Sequence, residues 1–191
     1  MSQEKSIKDI LVEDEALLDG HFKLRSGLHS SQYLQCALVF QHPAHAETIA
    51  RRQREKLTGE TIDAVIGPAT GGIIAAFELA RALECRALFA ERVDDAFRLR
   101  RGFSIRRGER LVVAEDVITT GGAVKEVIDL VRSLGGEVVA VAAVVNRSGA
   151  NPFDVPFHYL SELEMPAWEP AECPLCGEGQ PVDKPGSRRE V

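Results

Sequence analysis

Residues 111–123 read LVVAEDVITTGGA, and this stretch determines how the rest of the chain is interpreted. Its first four residues are apolar and predict a buried strand, which ends at two adjacent carboxylates, Glu115 and Asp116. Two threonines and two glycines follow before an apolar pattern with helical spacing begins. Backbone N–H groups at the start of a helix bind anions, and glycines let a phosphate come close to the chain. The stretch therefore predicts a strand–turn–helix unit that holds a phosphate.

The paired carboxylates need a separate explanation, because acids repel phosphate. Ionised carboxylates accept hydrogen bonds from hydroxyls, so Glu115 and Asp116 suit the 2'- and 3'-hydroxyls of a ribose 5-phosphate. They would also favour positive charge that develops on the ribose ring. The alternative is an ordinary strand–turn–helix with a capping acid, which a glycine turn alone would favour. The whole string, with its acids directly before the turn, favours the ribose phosphate site.

The sequence on either side alternates between apolar runs and helical patterns. Strands are predicted at residues 64–66, 87–89, 111–114 and 138–145, and helices at residues 43–57, 72–83 and 122–134. The apolar face of the second helix comprises Ile73, Ala76, Phe77, Ala80 and Leu83. Such alternation is typical of an α/β fold with a parallel sheet covered on two sides, whose ligands bind at the carboxyl ends of the strands.

Three segments are predicted along the chain. Residues 1–40 hold a helix over 6–18 and short strands over 22–24 and 33–40, residues 41–160 form the α/β core, and residues 161–191 form a C-terminal extension that frays from residue 181. The formal net charge of -6 argues against nucleic acid as the main partner. No apolar run approaches the ~20 residues that cross a membrane. The polar N-terminus lacks a signal-peptide core, so we expect a cytoplasmic protein.

Residues 66–72, IGPATGG, form a second strand–loop–helix pattern with backbone donors at a helix start. Taken alone, this loop is equally compatible with a plain tight turn. Two anion-binding turns at neighbouring strand ends, however, suit a substrate with a phosphate at one end and a pyrophosphate at the other.

Both stretches resemble motifs of the type I phosphoribosyltransferases, whose substrate is 5-phosphoribosyl-1-diphosphate (PRPP). The resemblance implies a central, mainly parallel sheet flanked by helices, a small N-terminal hood over the base, and a flexible lid loop. It implies catalysis by Glu115 and Asp116 through positioning and charge stabilisation. It also implies Mg²⁺, bridging pyrophosphate and ribose hydroxyls without direct protein ligands. The implied PRPP-binding residues are Glu115, Asp116, Val117, Ile118, Thr119, Thr120, Gly121, Gly122, Ala123, Thr70, Gly71, Gly72 and Arg92. A lysine common in the family's pyrophosphate loop is absent here, so backbone donors must replace it.

The predicted lid covers residues 92–108, a long connection rich in arginine with glycines at 102 and 108. Lids of well-known orotate enzymes of this family carry lysines and a histidine, which this segment lacks. Arg98, Arg100 and Arg101 are therefore expected to act in catalysis as pyrophosphate ligands. The resemblance also implies a homodimer in which the lid closes over the neighbouring subunit's site.

Three segments resemble orotate phosphoribosyltransferases in particular. Residues 20–33 resemble the segment that covers the base, and residues 99–105 resemble the lid region of a bacterial branch. Arg147 follows the strand at 138–145, where a planar guanidinium would match the orotate carboxylate. The family usually has aspartate where this chain has Asn146. The implied orotate-binding residues are Arg25, Tyr33, Thr119 and Arg147. A solvated arginine on a surface hairpin and a strand-ending arginine without a role are the alternatives.

Two other functions remain open at this point. One is a phosphoribosyltransferase for a purine base, which would not need Arg25 and Arg147 to converge on a carboxylate. The other is a PRPP-sensing regulator without catalysis, which usually carries a DNA-binding module. We expect the short acidic N-terminal segment to leave no room for such a module.

The chain has four cysteines, of which Cys36 and Cys85 lie in apolar stretches and are expected to be reduced thiols. Cys173 and Cys176 form a C-x-x-C that resembles half of a zinc site. A closed site needs four ligands, so His158 or a second subunit would have to complete it. The alternative is an inert pair on a mobile tail.

Overall fold

The computed structural model describes residues 5–24 and 26–185. In chain order the elements are α1 (Ile7–Glu13), β1 (Leu17–Lys23), β2 (His29–Leu34), α2 (Ala37–Phe40), α3 (Pro43–Lys56), β3 (Ala64–Pro68), α4 (Gly72–Leu83), β4 (Arg86–Val93), β5 (Ala96–Leu99), β6 (Arg110–Ile118), α5 (Gly122–Ser133), β7 (Glu137–Asn146), β8 (Phe157–Glu162) and α6 (Pro174–Gly177). Among the described residues, no helix combines the length and apolarity that a bilayer crossing requires. The segment boundaries predicted near residues 40 and 160 stay predictions.

The main sheet has the strand order β5-β4-β3-β6-β7-β8, and all of its pairings are parallel except that of β4 with β5. Successive side chains of β6 lie on opposite faces of the sheet, as strand geometry requires. Val113 packs in the cluster that contains the apolar face of α5, while Val112 packs with Leu79 of α4. The predicted α/β fold with a mainly parallel, doubly covered sheet is confirmed. Because β3 and β6 are neighbours, the two glycine loops leave the same edge of the sheet.

The predictions for the first 40 residues were partly wrong. The helix begins at a capping box between Ser6 and Asp9 but ends at Glu13, five residues before the predicted end at 18. The backbone turns there, because the Asp14 carboxylate accepts a hydrogen bond from His45 Nδ1 at 2.7 Å and Glu15 has a φ of 52°. The released residues form β1, which pairs antiparallel with β2 outside the main sheet. The second predicted strand is helical over its last four residues, α2.

The predicted lid segment over residues 92–108 contains a hairpin turn and a strand, β5, that were not predicted from the sequence. β4 and β5 form an antiparallel hairpin whose turn residues, Asp94 and Asp95, have φ values of 49° and 63°. Phe97 of β5 is buried in the core, and the Phe103 ring lies edge-on to Phe89 with centroids 5.1 Å apart. The segment is therefore anchored at two aromatic residues.

The C-terminal part is more ordered than its proline-rich sequence indicates. β8, which the periodicity did not predict, adds to the main sheet parallel to β7. The chain then runs back along the β1–β2 hairpin, where Trp168 exchanges backbone hydrogen bonds with His29 at 2.8 Å. The Asp183 N–H donates to the His21 carbonyl at 2.7 Å, so fraying from residue 181 was wrong for residues 181–185. Residues 186–191 lie outside the described part.

Candidate active site

Glu115 and Asp116 lie at the carboxyl end of β6, partly buried between the two glycine loops. Asp116 Oδ1 accepts a hydrogen bond from the Val117 N–H at 2.7 Å, and Glu115 Oε1 accepts one from the Asp116 N–H at 3.2 Å. Burial, reinforced by the neighbouring Asp116, raises the pKa of Glu115 far above its usual range, and burial also raises the pKa of Asp116. Burial therefore disfavours the ionised form of the pair, and hydroxyl donors or a cation bound beside it would stabilise that form.

The turn after the pair encloses an open cavity of about 240 Å³ at the start of α5. It is lined by Glu115, Val117, Ile118, Thr119, Thr120, Gly121, Gly122, Ala123 and Val124. These include all of the PRPP-binding residues predicted from this stretch except Asp116. Thr119 and Thr120 are exposed, and the first N–H groups of the helix face the same turn, so an anion would find both hydroxyl and backbone donors there.

Gly121 shapes this turn, and it packs against Phe153, a residue that was not predicted from the sequence. Its φ is 75°, a conformation that L side chains rarely adopt. A Cβ at this position would lie 2.9 Å from Cε1 of Phe153 and 3.1 Å from Pro152. Phe153 therefore supports the turn from behind, and only its position after an Asn-Pro turn marked it in the sequence.

The second loop lies directly against the acid pair. A Cβ on Gly71 would lie 3.1 Å from both carboxylate oxygens of Asp116, and one on Gly72 would lie 3.1 Å from Glu115 Oε1. The Ala69 N–H donates to the Ala90 carbonyl at 2.8 Å, which fixes the loop on β4. The prediction that the two loops lie side by side is confirmed. Their backbones enclose the carboxylates, with Thr70 exposed at the rim.

Arg147 follows β7 at the same edge of the sheet. Its N–H donates to the Ile118 carbonyl at 2.7 Å, which places it beside Thr119. Its guanidinium is partly buried, and its Nε has no hydrogen-bond partner among the described residues. Burial lowers the pKa of Arg147, as expected for a cation without a compensating anion. A carboxylate ligand would supply that compensation.

Asn146, where the family usually has aspartate, is explained by β8. Its Nδ2 donates to Glu162 Oε1 at 3.3 Å, and its Oδ1 accepts from the N–H and hydroxyl of Ser148. An aspartate at this position would set two carboxylates against each other. The substitution therefore keeps the strand end beside Arg147 without charge repulsion.

The remaining predicted residues are less closely associated with the acid pair. Arg92 lies over the Phe97 ring at 4.4 Å and forms an ion pair with Glu126 of α5 at 2.9 Å. Arg101 pairs with Glu91 at 2.8 Å, whereas Arg98 and Arg100 are exposed. The Tyr33 ring lies 5.7 Å from that of Phe22 on the β1–β2 hairpin. Arg25 lies outside the described residues.

His158, one of the two zinc partners predicted for the cysteine pair, is not among the ligand atoms close to it, and the other, a second subunit, stays a prediction. The ligand atoms that lie close to Cys173 and Cys176 belong to His21 and His29. His158 lies on β8, where burial lowers its pKa. The hairpin histidines could not be identified from spacing, because the β1–β2 hairpin meets the cysteines only through the returning C-terminal extension.

A larger cavity of about 430 Å³ lies between α3 and the end of α4, lined by Arg51, Arg54, Arg81, Glu47 and Glu84 among others. This cavity lies at the C-terminal end of α4, whereas Gly72 lies at the N-terminal end of that helix. Its mixed charges include several ion-paired residues, so the smaller cavity at the strand ends is the better candidate active site.

Known proteins resemble this chain in sequence and in fold. A family model described as a phosphoribosyl transferase domain matches residues 36–161. A relative from Caldanaerobacter subterraneus subsp. tengcongensis, named orotate phosphoribosyltransferase, is 55% identical over 99% of this chain and 100% of its own length. The crystal structure of orotate phosphoribosyltransferase from Aeropyrum pernix is 26% identical, with a TM-score of 0.70 over 83% of this chain and 93% of its own. An adenine phosphoribosyltransferase from Thermoanaerobacter pseudethanolicus, 17% identical, has a TM-score of 0.62 over 69% and 88% of the two chains.

Proposed function

The chain belongs to the phosphoribosyltransferase family, and we propose that it transfers the phosphoribosyl group of PRPP to orotate, giving orotidine 5'-phosphate and pyrophosphate. The observation that carries the proposal is the acid pair held between two glycine loops, with Arg147 at the same edge of the sheet and its Nε without a hydrogen-bond partner among the described residues. The fold alone does not select the base, because adenine enzymes share it. The full-length similarity to a protein named orotate phosphoribosyltransferase supports orotate over a purine.

In this proposal each part of PRPP meets a different set of hydrogen-bonding groups. The 5'-phosphate binds in the turn before α5, and the pyrophosphate binds along the loop that contains Gly71 and Gly72. The ribose hydroxyls donate to Glu115 and Asp116. As the bond from C1' to the pyrophosphate oxygen breaks, its electron pair leaves with pyrophosphate, and the negative pair stabilises the positive charge on the ring. N1 of orotate then bonds to C1' and releases its proton.

The acid pair also fits a hard cation next to the substrate. Burial raises the pKa values of its two carboxyls, no cation among the described residues lowers either value, and Mg²⁺ prefers oxygen ligands supplied partly by phosphates. Mg²⁺ held beside the acid pair would neutralise charge on the leaving group. Glu115 and Asp116 would act on it through the hydroxyls rather than as direct ligands.

Recognition of the base is proposed to rest on charge and on the hairpin. The Arg147 guanidinium would pair with the orotate carboxylate, and the adjacent Thr119 hydroxyl would contact the same ligand. Tyr33 would cover the base from the hairpin.

The proposed reaction is tested by supplying PRPP and Mg²⁺ with orotate, uracil, adenine, hypoxanthine or xanthine, and measuring pyrophosphate release. Orotate should be used far better than uracil, since only orotate carries the carboxylate. A preference for a purine would overturn the base assignment and leave the family intact. No transfer to any base, together with binding of duplex DNA at physiological salt, would favour a PRPP-sensing regulator.

We also propose that the chain acts as a cytoplasmic homodimer. Ile74 and Phe77 are 47% and 57% exposed on one face of α4, although Phe77 was predicted to face the core. Two large apolar side chains one turn apart suit contact with the same helix of a second copy.

The proposed location in the cytoplasm, a reducing compartment, is supported by Cys36 and Cys85, which are free thiols.

A further inference from the structure

Four potential metal ligands converge outside the active site. His21 lies on β1, His29 on β2, and Cys173 and Cys176 in the C-terminal extension. One ligand atom from each lies within 4.8 Å of every other. Residues from two distant parts of the chain thus meet around one point.

The spacing of these atoms fits the edges of a tetrahedron around one ion. His21 Nε2 lies 3.0 Å from His29 Nδ1, 3.5 Å from Cys173 Sγ and 3.7 Å from Cys176 Sγ, while Cys176 Sγ lies 3.2 Å from His29 Nδ1. Zn–S bonds of about 2.3 Å and Zn–N bonds of about 2.0–2.1 Å predict tetrahedral edges of roughly 3.3 Å for N···N and 3.6 Å for S···N.

Hydrogen bonding does not account for this arrangement. A neutral imidazole nitrogen carries either one proton or one acceptor lone pair, yet His21 Nε2 faces three polar atoms. The other nitrogen, Nδ1, lies 2.9 Å from the Gln180 carbonyl, which accepts its proton. That bond fixes the tautomer in which Nε2 presents its lone pair to the cluster, as backbone carbonyls do for zinc-bound histidines.

The surroundings also suit a structural site. His21, His29 and Cys173 are buried, whereas Cys176 is exposed and leaves a path for an ion. The Gly177 and Gly179 N–H groups donate to the carbonyls of Cys173 and Cys176 at 3.2 and 3.0 Å, which holds the C-x-x-C in a compact turn. Two thiolates and two imidazoles form a closed set that favours zinc over the oxygen-seeking Mg²⁺.

We propose that His21, His29, Cys173 and Cys176 bind one Zn²⁺ ion that clamps the C-terminal extension to the β1–β2 hairpin. A two-stranded hairpin alone is marginally stable, and this one lies outside the main sheet. The ion would add to the backbone hydrogen bonds that already join Trp168 and Asp183 to the hairpin. Its role is to hold the hairpin, which carries Tyr33, and not to take part in group transfer.

Metal analysis of the full chain, purified without chelator, tests the clamp. The parent protein should contain about one equivalent of zinc, and the Cys173→Ser, Cys176→Ser double variant should contain almost none. Cys85→Ser and His158→Gln are the matched controls, since neither residue belongs to the cluster, and both should retain the zinc. After exchange, Co²⁺ should give the visible absorption of tetrahedral thiolate coordination in the parent and controls only.

A chelator should lower the melting temperature of the parent protein and leave that of the double variant unchanged. If the double variant does not fold, thiol titration of the parent is decisive, because a chelator should expose both thiols to a thiol reagent. A parent protein that neither contains zinc nor binds Co²⁺ would overturn the proposal, as would a Cys173–Cys176 disulfide in freshly purified protein. Neither result depends on transfer activity, so the proposed function is tested separately.

Discussion

Glu115 and Asp116 are held in a place where their charged forms are disfavoured in the free protein. Burial and mutual repulsion raise the pKa of Glu115, and the backbones of Gly71 and Gly72 lie directly against the two carboxylates. The same arrangement becomes favourable when ribose hydroxyls and a cation arrive. The pair thus costs stability in the free protein in return for substrate binding, which is common at active sites.

Replacing Glu115 with Gln and Asp116 with Asn should stabilise the free protein and reduce transfer. A carboxyl whose pKa is raised on folding contributes stability that is complete below its unfolded value, near 4.5 for Glu115, and is lost as the pH rises through the folded value. The amides do not titrate, so the gain in melting temperature should be small near about pH 4 and larger near about pH 8. Turnover should fall by several factors of ten, since each hydrogen bond to a charged group contributes ~1.5–3 kcal/mol.

Thermal unfolding across this pH range, without PRPP, measures the first effect, and pyrophosphate release measures the second. Glu55→Gln, which removes an exposed carboxylate on α3, should change neither. Unchanged turnover in a folded double variant would contradict the proposed role of the pair.

Arg147→Ala should lower kcat/KM for orotate by a factor of about ten to a hundred and fifty, the equivalent of a charge-assisted bond of ~1.5–3 kcal/mol. PRPP binding should change little, because the substitution keeps the backbone N–H with which Arg147 bonds Ile118 at the proposed phosphate turn. Arg147→Lys should recover part of the loss, since an ammonium lacks the planar fork. Steady-state kinetics with each substrate varied give both values. An equal loss of PRPP binding would mean that the arginine is structural or binds phosphate.

The sequence predicted site residues where the motif is continuous along the chain. Glu115 through Ala123 follow one another, so strand, acids, turn and helix could be recognised together. Phe153 behind Gly121 and Glu162 beside Asn146 were not predicted, because each meets its partner across the fold. Contacts between distant segments leave no local pattern.

At the scale of elements, the central βα units were predictable and the peripheral hairpins were not. β3, α4, β6, α5 and β7 are long, apolar and regularly spaced, which identifies them locally. β5 has four residues, and β1 begins inside what resembles a helix because its leucines continue the spacing of α1. Such short edge elements owe their conformation to pairing with neighbours, which the sequence does not show.

The β4–β5 hairpin carries the arginines proposed to meet pyrophosphate. Arg98→Ala combined with Arg100→Ala should raise the KM for PRPP and lower kcat, because both side chains are exposed and positively charged. Arg106→Ala combined with Arg107→Ala removes the same charge beyond Phe103 and serves as the control. Glu91→Gln should change the KM for PRPP and kcat little, since the exposed ion pair between Glu91 and Arg101 contributes at most ~1 kcal/mol to stability. Equal losses in both double variants would indicate general electrostatic attraction, not contact by the hairpin.

For the whole molecule, the sheet order brings the ligand-binding parts together at one edge. β3 and β6 are neighbours, as are β6 and β7, so the two loops and Arg147 meet although they are far apart in sequence. The exposed Ile74 and Phe77 lie on α4, whose first residue is Gly72 of the proposed pyrophosphate loop. A second copy docked on α4 would therefore approach the active site.

A dimer with shared sites predicts complementation between two inactive variants. One carries Glu115→Gln and Asp116→Asn, and the other carries Arg98→Ala, Arg100→Ala and Arg101→Ala. If the hairpin acts on the neighbouring subunit, each mixed dimer has one complete site, so equal mixing should restore about one quarter of the parent activity in a symmetric dimer. The measurement is pyrophosphate release after mixing, and two different affinity tags, one on each variant, are used to monitor subunit exchange.

Introducing Phe77→Glu into both variants should give monomers by light scattering and abolish the recovery of activity, since a buried glutamate opposes an apolar interface. Proven exchange without recovery would mean that each hairpin serves its own subunit.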